Sequence, residues 1–316
     1  MARTTPQAVK SLNLVFSAPP ENINTDPEQL RRKATLGTPS ERSAFVKTIT
    51  IQFPQFTHGI RLLEDSLNRS GSLDPGGVKI LGASGLGKSF ICSHFLRGHP
   101  TVINNDQVTI PILYLQLEAS IPATELIKRL LKCIGFPFRT DFNLSGLTDL
   151  LVEGIQKRGT KLLLFDEAQE FAEGRGNSRA GLIGNTLKRI HDRTNVAQAF
   201  LGTELLERFF TIADQLSGRI TAEHHLHPLL FDDTFRSVLH AFDTALPMPE
   251  KSDLAGALAS PIHISTEGNM RLLRRLLSFA VEFAASENAK HLSQEHFSKA
   301  FYQVFGTRQN PFSNKQ

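Results

Sequence analysis

Gly82-Ala83-Ser84-Gly85-Leu86-Gly87-Lys88-Ser89 constrains the fold of this chain more than any other stretch. It fits the pattern G-x-x-x-x-G-K-[ST] of a phosphate-binding loop, which needs a strand before it and a helix after it. Val78-Lys79-Ile80-Leu81 reads as a short apolar strand, and Phe90 to Leu96 as the start of a helix. The glycines let backbone N–H groups turn inward around nucleotide phosphates. Lys88 supplies a cation for the β- and γ-phosphates, the Ser89 hydroxyl can ligate Mg²⁺, and the helix N-terminus adds partial positive charge. Gly82, Ser84, Gly85, Gly87, Lys88, Ser89 and Phe90 are the candidate ATP contacts.

Lys161-Leu162-Leu163-Leu164-Phe165-Asp166-Glu167 is an apolar run that ends in two carboxylates. Such a run suits a strand buried on both faces of a parallel sheet, whose C-terminal end is where ligands bind. There Asp166 is a candidate Mg²⁺ partner and Glu167 a candidate to polarise the attacking water. A solvated turn has no need of four preceding large apolar residues. The spacing from Lys88 leaves room for a helix, a strand and a second helix.

The 316 residues allow one or two domains, and 40% hydrophobic with 21% charged residues is ordinary for a soluble globule. A net charge of +4 permits a nucleic-acid partner without demanding one. Cys92 and Cys133 lack metal-ligand spacing and read as core thiols of a reducing compartment. No segment reaches the roughly 18 apolar residues of a membrane span, and the N-terminus lacks a signal-peptide run, so the expected location is the cytoplasm, with no membrane partner. The 23 Phe against no Trp have no functional account at this level.

Along the chain, residues 1–44 are polar and Pro-containing and read as a mobile or docking arm. A helix is expected from Phe56 to Leu67, then strands at Ile110–Leu117 and Val196–Leu201, with a short fifth strand at His224–Leu226. Between them, helices are expected at Ala123–Ile134, Leu147–Gln156 and Ala180–Arg193, and another begins at Glu204. From Asp232 only helices follow: Asp232–Ala245, Ser252–Ala259, Asn269–Ser286 and Ser293–Phe305. The expected architecture is an α/β core over 45–230, with a parallel sheet sandwiched by helices. A small all-helical lid over 231–306 and a polar tail over 307–316 complete it.

An alternating core with a phosphate loop and a helical lid resembles the AAA+ ATPases. In that likeness Thr203 is the polar sensor near the γ-phosphate, a role compatible with capping the next helix. Arg219, before the short fifth strand, is placed as the arginine finger given to a neighbouring subunit, with Arg208 as its rival. Thr266-Glu267-Gly268-Asn269-Met270-Arg271 looks like the second sensor motif, with Arg271 on the phosphates and Arg274 and Arg275 as alternatives.

Phe53-Pro54-Gln55-Phe56, the phosphate loop, Asp166-Glu167-Ala168-Gln169-Glu170, Leu201-Gly202-Thr203 and Gly268–Arg271 together resemble the TniB/TnsC family of transposition ATPases, over about residues 45–305. The resemblance implies an ATPase that binds double-stranded DNA and self-associates as a ring or helical oligomer, often hexameric or heptameric per turn. It implies recruitment of a DDE transposase and of a TniQ-type target selector, and in CRISPR-associated relatives an RNA-guided target complex. It places Lys128, Arg129, Lys132, Arg139 and Thr140 on the DNA-facing surface, where such residues suit phosphate contacts. The same residues also suit the solvated face of an amphipathic helix. The loop Gly174–Arg179 is a second basic segment that could touch DNA or a neighbouring subunit. Two other classes share the nucleotide motifs: a secretion-type assembly factor and a helicase loader.

Overall fold

The computed structural model describes residues 14–16, 26–105, 107–118, 120–139, 141–173 and 177–313. The chain divides into two units, 55–227 and 1–54 with 228–316. Thr140 and Gly174-Arg175-Gly176 lie outside the described residues, as does most of the segment ahead of residue 26.

Alternation of apolar runs with amphipathic segments builds the first unit. Helix α3 (Pro54–Arg69) precedes β3 (Gly77–Gly82), and α4 (Lys88–Gly98) follows it. Further on come β6 (Ile112–Gln116), α5 (Ala123–Cys133), α6 (Leu144–Arg158), β7 (Leu162–Asp166), α7 (Asn177–Thr194) and β8 (Ala197–Gly202). Two short helices, α8 (Leu206–Ile212) and α9 (Asp214–Ser217), lead into β9 (Ile220–Leu226). The sheet order is β6-β7-β8-β3-β9, and every pair is parallel. All five residues of β7 are buried, as a strand covered on both faces requires.

The fifth strand is longer than its sequence signal because Ile220–Glu223 alternates half-buried and exposed positions at a sheet edge. A hairpin of β4 (Val102–Asn104) and β5 (Gln107–Thr109) was not expected, since it is short and mostly exposed. Cys92 is buried, but Cys133 at the end of α5 is exposed, so only the first is a core thiol.

The phenylalanine bias has a location. Phe165 stacks on Phe200 at 5.3 Å, Phe171 meets Phe165 edge-on at 5.5 Å, and Phe171 and Phe210 extend the cluster to Phe209. These rings pack beneath the ends of β7 and β8, where rigid aromatic burial holds the carboxylate-bearing turn.

In the other unit, residues read as part of a polar arm form α1 (Pro27–Thr35) and α2 (Pro39–Thr48). Asp26 caps α1, Thr38 and Glu41 form a capping box on α2, and a proline opens each helix. The chain continues as β2 (Ile49–Ile51), which pairs antiparallel with β1 (Leu14–Phe16). The helices α10 (Asp233–Ala245), α11 (Ala259–Thr266), α12 (Met270–Ser286) and α13 (Gln294–Phe305) complete it. Ser43 in α2 hydrogen-bonds Ser278 in α12 at 2.9 Å.

The helix expected over Ser252–Ala259 is corrected: 254–258 are turns and the helix runs from Ala259 to Thr266. The Asp243 carboxylate accepts the Ser252 and Asp253 N–H groups, and Asp253 is held at φ 54°, which blocks a helix there. Pro261 is tolerated because it sits in the first turn of α11. The expected polar tail also packs: Phe312 stacks on Phe297 at 5.2 Å and the Asn310 amide donates to Ser298.

Gly268 follows α11 at φ 70°, and a Cβ there would lie 2.0 Å from the Leu229 carbonyl oxygen. Gly268→Ala should therefore destabilise by about 3 kcal/mol, combining left-handed strain with a backbone clash. Gly98→Ala, at the end of α4 with open space around it, should be neutral or stabilising by about 0.5–1 kcal/mol. Chemical denaturation of both variants measures the contrast.

Candidate nucleotide site

The loop between β3 and α4 is shaped by three glycines. Gly82, Gly85 and Gly87 have φ of 157°, 88° and 111°. At Gly82 a Cβ would sit 2.8 Å from the Leu226 carbonyl, so β9 demands glycine there. At Gly87, the N-cap of α4, the Cβ position meets open space, leaving the helix N-terminus clear for an anion. Lys88 is buried, and its ammonium donates to the carbonyls of Gly82 at 2.6 Å and Ala83 at 3.1 Å. Ser84 and Ser89 are exposed along the loop, and Phe90 is half-buried.

Strand register brings the second motif alongside. Leu81 is paired with Gly202 and Phe165 with Phe200, so the C-terminal ends of β3, β8 and β7 lie side by side. Asp166 is fully buried, and burial pushes its carboxyl above the ordinary range. The Glu167 N–H at 2.9 Å and the Ser89 hydroxyl, both donating to Asp166, act against that shift. Ser89 and Asp166, the two residues expected to share a Mg²⁺, are thus in contact. Tyr114 on β6 also points at Asp166, its hydroxyl donating at 3.4 Å, and burial together with that carboxylate pushes the pKa of the phenol well above its ordinary value. Sequence reasoning passed over Tyr114 because nothing local marks it; only the β6–β7 register brings it there.

Glu167 sits in the left-handed region at φ 54°, a strained setting for a residue with a Cβ. The Gln169 amide donates to its Oε2 at 2.6 Å. The same amide accepts the Thr203 N–H at 3.1 Å. The Thr203 hydroxyl is buried and has no hydrogen-bond partner among the described residues. It does not cap α8, so the sensor and capping readings are not both realised. An orphaned hydroxyl beside a clear helix N-terminus, a buried lysine and a buried carboxylate fits a phosphate group with its cation.

The remaining candidates are spread out. Arg219 precedes β9, whose Ile220 pairs with Gly77 at the opposite end of the sheet from the loop, and it donates to Asp192 at 3.1 and 3.2 Å. Arg208 is exposed on α8. In the other unit, Asn269 caps α12 through the Arg271 and Leu272 N–H groups, and Arg271 and Arg275 are exposed. Arg274 is buried and donates to the Ile49 carbonyl at 2.9 Å; burial lowers its pKa to about 10. Its role is to tie β2 to α12. On α5, Lys128 and Arg129 are half-buried and Lys132 is exposed, while Arg129 pairs with Glu125 at 3.1 Å. Arg139 is paired with Asp141 at 2.9 Å.

Three of the solved proteins with a similar fold illustrate the likeness. The Aeropyrum pernix ORC2 protein, in ADPNP-ADP complexes, is 15% identical with a TM-score of 0.60, over 80% of this chain and 68% of that one. Cdc6p from Pyrobaculum aerophilum is 18% identical with a TM-score of 0.61, over 80% and 68%. The Aeropyrum pernix ORC1 protein, in complex with DNA, is 16% identical with a TM-score of 0.57, over 80% and 66%. The fold is that of the P-loop AAA+ proteins, an α/β core with a helical C-terminal region. The family model of the bacterial TniB protein matches residues 43–228, over half of the chain, and the chain belongs to that family. No curated protein matches it. Among the described residues no helix is long and apolar enough to cross a membrane.

Lys88→Ala should abolish binding of a fluorescent ATP analogue while leaving the fold intact. Thr203→Val should leave the melting temperature of nucleotide-free protein unchanged or higher, because the hydroxyl it removes has no partner to lose. The same change should slow hydrolysis by about 10-fold or more if the hydroxyl meets the γ-phosphate or the attacking water. Wild-type hydrolysis by Thr203→Val would remove it from the site.

Proposed function

We propose that this protein is an ATP-dependent, DNA-binding regulator of transposition. ATP-bound copies assemble on double-stranded target DNA and recruit or activate a DDE transposase, with a TniQ-type protein choosing the target. The observation that carries this reading is the TniB family match across residues 43–228. The fold likeness to a protein solved with DNA supports the nucleic-acid part. Gly82 to Phe90 and Arg271 contact the nucleotide in this reading. Mg²⁺, held by Ser89 and Asp166, would neutralise charge on the β- and γ-phosphates. Glu167 polarises the attacking water and Thr203 senses the γ-phosphate. Arg219, or Arg208 in its place, reaches a neighbouring subunit's site.

The DNA track proposed is Lys128, Arg129, Lys132, Arg139 and Thr140. Its charge is modest, and Arg129 and Arg139 already have acidic neighbours. One subunit alone binds weakly, and affinity comes from many subunits along one duplex.

Glu167→Gln protein should hold ATP, hydrolyse it at least about 10²-fold more slowly, and remain on DNA longer than wild type. Lys128→Ala with Arg139→Ala should weaken binding on every sequence alike and flatten the salt dependence, with nucleotide affinity unchanged. Fluorescence anisotropy with ATP analogue across a salt series measures both. Absence of DNA binding by wild-type protein at low salt would overturn the transposition reading in favour of an assembly factor. Arg219→Ala should bind ATP normally, hydrolyse poorly alone, and regain some activity when mixed with Lys88→Ala protein. Wild-type hydrolysis by Arg219→Ala alone would move the finger to Arg208.

A further inference from the structure

Gln169 is the buried polar side chain of this site to which the nucleotide motifs assign no task. It lies in the 3-10 turn Ala168–Phe171, only 8% exposed. Phe171 of the same turn is wedged among Phe165, Phe200 and Phe209, which fixes the turn against the sheet. Both ends of the amide are engaged. Nε2 donates to Glu167 Oε2 at 2.6 Å, and Oε1 accepts from the Thr203 backbone N–H at 3.1 Å. A carboxylate can only accept and a backbone N–H can only donate, so the orientation of the amide is dictated by its partners. Space is also set for it: a Cβ on Gly202 would lie 2.8 Å from Oε1 and 3.1 Å from the Gln169 backbone nitrogen. Gly202 is therefore small because Gln169 passes beside it.

We propose that Gln169 is a positioning residue that orients the Glu167 carboxylate and ties it to the end of β8 carrying Thr203. This rests on the reading of Glu167 as the group that polarises water. With Oε2 occupied by the amide, Oε1 is the oxygen that meets the water. A hydrogen bond to a charged acceptor is stronger than a neutral one, so the amide restrains a carboxylate whose backbone is strained at φ 54°. The other end makes the restraint sensitive to Thr203: any shift of the β8 terminus on contact with a phosphate moves the amide, and the amide moves Glu167. One side chain thus links the sensing and the water-polarising positions within a single subunit.

Three variants test this. Gln169→Leu removes both hydrogen bonds at similar volume. It should lower kcat for ATP about 10- to 100-fold with KM and affinity for a fluorescent ADP analogue within about two-fold of wild type. In nucleotide-free protein, hydrogen exchange at the Thr203 amide should rise about 10-fold or more, because its acceptor is gone. Gln169→Glu keeps the acceptor but replaces the donor by a carboxylate. It should lose hydrolysis to the same degree while Thr203 exchange stays slow, which a merely structural role would not produce. Glu167→Gln with Gln169→Leu should be no slower than Glu167→Gln alone within about two-fold, since groups acting as a unit are not additive. Hydrolysis by Gln169→Leu within about three-fold of wild type, or multiplicative losses in the double variant, would overturn the proposal. Wild-type hydrolysis by Glu167→Gln alone would instead overturn the reading beneath it. If Gln169→Leu fails to fold, Gln169→Glu carries both arms of the test.

Discussion

The parallel register that sets Leu81 beside Gly202 and Phe165 beside Phe200 is the constraint on which the nucleotide site depends. It delivers the phosphate loop, the carboxylate pair and Thr203 to one edge from three separate stretches of chain. That edge then has to hold a fully buried carboxylate, Asp166, whose charge burial disfavours. Ser89 and the Glu167 N–H offset part of that cost, and Phe165, Phe171, Phe200 and Phe209 pack ring against ring beside the strand ends. In the reading proposed above, a site assembled this way is preorganised for a cation and a phosphate, whose binding would return the stability the buried carboxylate costs.

Lys88 shows the same economy. Its ammonium rests on the carbonyls of Gly82 and Ala83, the residues that open its own loop. A buried cation needs partners, and two carbonyls of its own loop serve as acceptors at hydrogen-bond distance. In the reading proposed above, binding a nucleotide would exchange neutral carbonyl acceptors for charged oxygens, an exchange that favours the ligand.

What was legible in the sequence is what local chemistry determines. The phosphate loop is contiguous, the β7 run is apolar throughout, and α12 carries its N-cap in Asn269; each was placed to within a few residues. What escaped depends on contacts between distant positions. Residues 26–44 look like an arm because they are rich in charge and proline, yet Asp26, Thr38 and Glu41 use those polar groups as caps and Ser43 packs on Ser278. The segment 252–258 has helical composition, but the Asp243 carboxylate captures its N–H groups first. Gln169 appeared only as one letter of a motif, since its bond to Thr203 joins positions 34 residues apart. Among Arg271, Arg274 and Arg275, only packing distinguishes the one spent on the Ile49 carbonyl.

Arg219 illustrates how an exposed arginine is held by its own chain. Its guanidinium donates to Asp192 through Nε and Nη2, with both side chains about two-fifths exposed. An exposed pair of this kind contributes roughly 0.2–1 kcal/mol, so giving it up costs little. The pairing nevertheless gives the guanidinium a partner within its own chain. The same holds for Arg139 with Asp141. Weak intrachain pairing at both places means that either guanidinium can be released to a stronger partner at little cost. In the reading proposed above, those partners are a phosphate backbone and a neighbour's nucleotide, so assembly would be the step at which these charges begin to act.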